Sequence, residues 1–163
     1  MKKLLVCLLC ALSAACTWAQ TRNTQDFAAH FMRDNSGNDE VKCVTVGPKM
    51  ISSLLSENYG SNENMKEWMK GVKSLRIVTS ESNAAKLRSE ALELLKANST
   101  RYSEYRDKNN TDYGDCLWVR NVKGKTVELV YVAPLSEKGF MVMNFTGKIN
   151  DAFIRNIVNP GES

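Results

Sequence analysis

The densest group of side chains able to do acid-base or metal chemistry in this chain is the acidic stretch Glu104, Asp107, Asp112 and Asp115. Paired carboxylates of this kind serve general acid/base catalysis or bind a hard cation such as calcium. Their spacing is not that of an EF-hand loop, because the alternating Asp/Asn run closed by glycine and a later glutamate is missing. A solvated loop between strands accounts for the same residues. His30 is the only histidine; a multi-histidine metal site is therefore excluded, and any serine or cysteine triad would rest on this one residue. There is no Gly-x-Ser-x-Gly elbow, and Gly37, Gly47 and Gly60 are isolated turn residues rather than a phosphate loop. Met141-x-Met143 is the one pattern suited to thioether-bound Cu(I). Strand alternation also places both methionines with Phe145 on one buried face, where they read as ordinary core. None of these patterns implies a cofactor or a bound metal. Where the chain works by binding instead, Trp68, Trp118 and Tyr131 are the candidate contact residues, provided they face solvent.

The N-terminus sets the compartment in which such residues would act. Met1-Lys2-Lys3 precedes an apolar run from Leu4 to Leu12 and small residues ending Thr17-Trp18-Ala19, the pattern of a secretory signal peptide cleaved between Ala19 and Gln20. The run falls short of the about 20 apolar residues that cross a bilayer. Residues 1–19 therefore read as a removed leader and residues 20–163 as a single domain. The alternative is lipidation at Cys16 after Ser13-Ala14-Ala15, with Ser13 standing where an aliphatic residue is usual. The expected location is periplasmic or secreted, or lipid-anchored in that alternative, and nothing after Gln20 is long and apolar enough to span a membrane.

Leader removal also changes the composition. The 22 basic and 18 acidic residues of the whole chain become a mature net charge of about +2. The groups Lys66, Lys70, Lys73, Arg76 and Arg101, Arg106, Lys108 are interrupted by acidic residues and read as solvated faces, so no nucleic-acid partner is expected. Three of the five cysteines leave with the leader, and Cys43 and Cys116 remain. In an oxidising compartment they form a disulfide closing a loop of roughly 73 residues, a gain of roughly 4 kcal/mol, or they stay as two buried thiols. Both readings are open.

The elements follow from periodicity and punctuation. Thr24 is a cap for a first helix through Phe27, Ala28, Phe31 and Met32, ended by Asn35-Ser36-Gly37-Asn38. Glu40 to Gly47 reads as a strand buried on both faces and central in the sheet. Pro48 opens a helix that Gly60 stops; a short helix carries Met65, Trp68, Met69 and Val72; Leu75 to Thr79 is a strand. The longest helix runs from about Ser82 to Asn98, and Tyr102 to Arg106 is a short edge strand. Strands Cys116 to Val122 and Thr126 to Ala133 join at Lys123-Gly124, a third runs from Phe140 to Lys148, and Asn150 caps a last helix. Helices mostly early and a meander late predict an α+β domain: a largely antiparallel sheet with helices packed mainly on one face.

Several segments carry a resemblance. The leader, the Phe-rich first helix, Gly47 to Leu55, Leu75 to Thr79, the long helix, Val127 to Val132 and Phe145 to Ile149 together resemble the DUF4252 family of exported Bacteroidetes proteins. The likeness covers nearly all of the mature chain through hydrophobic patterns. It implies a compartment and a taxon; the family's function being undefined, it carries over no catalytic or binding residue. The functional expectation is an exported cell-envelope protein, a non-catalytic binding or accessory module with an unidentified envelope protein or ligand as partner. The alternative is a small periplasmic hydrolase-like enzyme using the Asp/Glu cluster around residues 104–115.

Overall fold

The computed structural model describes residues 25–57, 67, 69–106 and 116–158. Residues 1–24, with Cys16, Ala19, Gln20 and Thr24, lie outside them, as do Trp68, Asp107, Asp112 and Asp115. In chain order the elements are α1 (Phe27–Asp34), β1 (Lys42–Val46), α2 (Pro48–Glu57), β2 (Val72–Ser80), α3 (Ala84–Ala97), β3 (Ser103–Glu104), β4 (Leu117–Val122), β5 (Lys125–Pro134), β6 (Phe140–Ile149) and α4 (Asp151–Val158). The strands form one sheet in the order β1-β2-β6-β5-β4-β3, with every neighbouring pair antiparallel. The fold is α+β.

Alternation along the central strands divides the core in two. Val78, Trp118, Val130, Val132, Phe140 and Val142 share one face with Phe27, Ala28 and Phe31 of α1 and Leu87, Ala91, Leu92 and Leu95 of α3. Leu117, Val119, Leu129 and Phe145, one residue out of phase with these, face Ile51 of α2 and Phe153 and Ile154 of α4. Among the described residues, helices therefore cover both faces, α1 and α3 on one and α2 and α4 on the other, which corrects the expectation of helices mainly on one. The period-2 pattern of β4 to β6 is apolar on both phases, as a sheet covered on both sides requires.

The β4-β5 hairpin turns at Lys123 and Gly124, with φ of 52° and 73°, the left-handed pair of a type I′ connection. Phe153 N–H donates to Asn150 Oδ1 at 2.7 Å, the expected cap of α4. Three other expectations change. The first helix is capped by Asp26, whose Oδ1 accepts Ala29 N–H at 2.9 Å, rather than by Thr24. The segment read as a central strand is the sheet edge, with Lys42, Cys43, Val44 and Thr45 exposed. Alternating apolar residues cannot separate these cases, because an edge strand of β-branched residues has the same pattern as a covered one. Strand β2 begins at Val72, placed by periodicity in the preceding helix. Of that helix, Glu67 and Met69 are helical.

A glycine pair joins β2 to β6 at their irregular end. Gly147, with φ of 135°, sits opposite Val72, and a Cβ on it would strike Gly71 O and lie 2.7 Å from Lys73 N. Only glycine fits that conformation and that approach.

Candidate functional site

The largest polar constellation of the described residues is built into the sheet beneath the N-terminus of α1. Glu128 on β5 points to the same face as Val130 and Val132 and is 0 % exposed. Its Oε1 accepts Phe27 N–H at 2.7 Å, Tyr102 O–H at 3.1 Å and Asn144 Nδ2 at 3.2 Å. Its Oε2 accepts Arg120 Nε at 2.7 Å and lies 3.7 Å from Arg101 Nη2. Asn144 on β6, opposite Val130, accepts Ala28 N–H on its Oδ1 at 3.0 Å. The first three amides of α1, which no helical carbonyl can satisfy, thus go to Glu128, Asn144 and Asp26 in turn. A carboxylate at this end of a helix also meets the positive pole of its dipole.

The surrounding charges complete the cluster. Arg76 on β2 donates to Asp26 Oδ1 at 3.2 Å, and Arg101 Nη2 donates to the backbone oxygen of Gln25. Two arginines and three neutral donors compensate the buried charge of Glu128, the condition under which a buried carboxylate is tolerated. The Tyr102 phenol is pushed well above its ordinary pKa, first by burial and then by the adjacent Glu128 carboxylate. Both oxygens of Glu128 are engaged, Oε1 with the first amide of α1 and Oε2 with Arg120 and Arg101.

Those of the residues singled out by type and spacing that the structure describes are dispersed. His30 lies on α1 and pairs with Asp34 at 3.5 Å. Glu104 is exposed on β3. Met143 is partly buried with Tyr131 in the core that faces α2 and α4, next to Phe145, as alternation predicts. Trp118, at 4 % exposure, is packed in the core beneath α1 and α3 and presents no surface for a partner. Tyr131 is half-buried, and burial raises its pKa. Among the described residues, no group of three or more His, Cys, Asp or Glu side chains converges on a metal-sized space.

No disulfide joins Cys43 and Cys116, the cysteines among the described residues, and the sheet explains why. Cys43 is on β1 and Cys116 directly precedes β4, with β2, β6 and β5 between them. Four strand spacings amount to about 19 Å, against the about 6 Å between the Cα atoms of a disulfide. The disulfide reading is corrected accordingly. The thiol pair is not buried either: Cys43 is exposed and Cys116 partly so. Partial desolvation of the Cys43 thiol nevertheless pushes its pKa up, with the Arg76 charge opposing.

Exposed surface of another kind lies at the sheet boundary. Val44 on β1 is 59 % exposed, at an edge whose only strand neighbour among the described residues is β2. The other edge, β3, is two residues long. At the end of the sheet where β2 and β5 begin and β6 stops, a groove of about 790 Å³ is lined by Lys70, Lys125, Lys148 and Asp151 among others. A second groove, of about 750 Å³, runs between the C-terminal end of α1 and α3 with Asp34, Asp39, Glu90 and Glu93 on its walls. No helix among the described residues is long and apolar enough to cross a membrane.

Residues 31–157 match the model of a family described as a domain of unknown function, DUF4252, and the chain belongs to that family. No curated protein and no solved structure gives a match. The matched segment contains Glu128, Asn144, Arg76, Arg101, Tyr102 and Arg120, while the α1 amides they hold, at Phe27 and Ala28, precede it.

Proposed function

For this member of a family without a defined activity, we propose an exported cell-envelope module that works by binding rather than by catalysis. Export rests on the leader pattern ending at Ala19, with soluble release the reading preferred over lipidation at Cys16. The binding reading is carried by one observation: among the described residues β1 is a sheet edge in which four consecutive residues, Lys42 to Thr45, are exposed. Such an edge is a template for a partner's strand, whose backbone amides and carbonyls supply affinity while alternate side chains supply selectivity. Two further points support this reading. The largest buried polar cluster is committed to holding α1, and its carboxylate is closed to a substrate. The tryptophan of β4 belongs to the core, which moves the candidate contact surface from exposed aromatics to the strand edge.

Capture from envelope extracts tests this, with wild-type protein as bait beside Val44→Lys, a charge of the sort that natural edge strands use to block pairing. A partner retained by the wild type and lost with the variant supports the edge. Equal capture by both, or capture by neither, overturns it.

A further inference from the structure

The basic residues of the chain are unevenly placed in three dimensions. Lys70 and Lys73 flank the start of β2, Lys123 and Lys125 the β4-β5 turn, Lys148 the end of β6, and Lys49 the first turn of α2. The antiparallel pairing brings these segments to one end of the sheet: Val72 lies opposite Gly147, Thr126 opposite Ile149, Val122 opposite Lys125 and Val46 opposite Leu75. All six lysines are exposed. The groove at this end holds Lys70, Lys125 and Lys148 beside two carboxylates, Glu67 and Asp151, and Glu67 is already paired with Lys70 at 3.7 Å. A domain that is nearly neutral as a whole thus has one strongly positive end.

Two exposed apolar side chains neighbour these lysines in sequence. Val122 is 45 % exposed beside the tight turn Lys123-Gly124, and Met50 is 54 % exposed next to Lys49. Lysines alone are compatible with any polyanion. An apolar side chain projecting among them is wasted on a soluble polyanion, whereas a bilayer takes the charges at its headgroups and the apolar tips just below. We infer that this end of the sheet is a peripheral contact for an anionic lipid bilayer, with the β4-β5 turn leading. Each lysine near such a surface contributes attraction that salt screens. Neither Val122 nor Lys125 takes part in the Glu128 cluster, and the proposal does not depend on the β1 edge.

Co-sedimentation of the protein recovered from an exporting host tests it. Vesicles of phosphatidylcholine containing one-third phosphatidylglycerol are compared with phosphatidylcholine alone. The readout is the ratio of binding to the two, which a lipid on Cys16 would not itself raise. The expected ratio exceeds about tenfold at low salt and collapses in high salt. Lys70→Glu/Lys125→Glu/Lys148→Glu should lower anionic binding by about a hundredfold, the same three positions as arginine should keep it, and Val122→Ser should lower it several-fold. Thermal unfolding of each variant establishes that it is folded, and the arginine variant carries the test if the glutamate variant is not. Equal binding to both vesicles overturns the proposal, as does an anionic preference unchanged by charge reversal. So does competition by inorganic polyphosphate with no effect of Val122→Ser, which would identify a soluble polyanion instead.

Discussion

The Glu128 carboxylate, in the middle of the sheet, accepts the backbone N–H of Phe27 at 2.7 Å across 101 positions of sequence. This contact joins the first helix to the central strands. It turns an otherwise unfavourable buried charge into the anchor for a helix end with amides to satisfy. Phe27 and Phe31 then pack down from the anchored end, Phe27 edge-on to Tyr102 and Phe31 against Phe140.

Removing the anchor should therefore cost far more than a surface change. Glu128→Ala leaves Arg120, Arg101 and the Phe27 amide facing a void, and urea unfolding should show a loss of about 3–5 kcal/mol. Glu128→Gln keeps an acceptor and removes the charge, with an expected loss of about 2 kcal/mol. Hydrogen exchange at Phe27 and Ala28 should accelerate in both variants before exchange in β5 or β6 does. Uniform acceleration across the domain would show that the cluster does not act on α1 in particular.

Tyr102 should contribute to the alkaline decline of stability. Its folded-state pKa lies above the ordinary value of about 10, so the folded protein holds this proton more tightly than the unfolded chain. The resulting stability is complete below pH of about 10 and is lost as pH rises beyond it toward the folded-state value. Tyr102→Phe should cost about 1 kcal/mol at neutral pH, by removing one donor to Glu128, and should flatten the alkaline decline. Unfolding followed at pH 8 to 11 reads both; an equally steep decline in the variant would assign it to other groups.

Much of this architecture was legible in the residues. The β4-β5 turn announced itself through Lys123-Gly124, the cap of α4 through Asn150, and the shared face of Met143 and Phe145 through simple alternation. The position of β1 was not, because strand order is decided by pairing partners distant in sequence, and the apolar pattern of Val41 to Val46 is the same at an edge. The Glu128 cluster was passed over although a signal existed. Glu128 stands in phase with Val130 and Val132, and Asn144 in phase with Phe140 and Val142, each a polar residue on the covered face of an interior strand. Such residues need partners. Which partners could not be read, since Phe27 N–H and Arg120 come from segments whose approach depends on the whole fold.

The free thiols give a direct chemical check. Mass spectrometry after alkylation of unreduced, denatured protein should find both Cys43 and Cys116 modified. In the native state Cys43 should react first because it is exposed, and its rate should keep climbing above the pH at which an ordinary thiol levels off. A bridged species of intact mass two units lower would contradict the sheet order between β1 and β4.

The glycine pair at the positive end should be intolerant of side chains. Gly147→Ala meets Gly71 O and demands a backbone conformation closed to L-residues, with an expected loss of about 3 kcal/mol. Gly37→Ala, which meets nothing within 4 Å, should be nearly neutral. Equal thermal stability of the two variants would remove the argument for close approach of β2 and β6.

Export is the premise on which the binding role stands, and one measurement reaches it directly: the N-terminal sequence and intact mass of the protein recovered from the fractionated producing cell. The account predicts a soluble periplasmic or extracellular chain that begins at Gln20. A chain starting at Met1 and confined to the cytoplasm would contradict it.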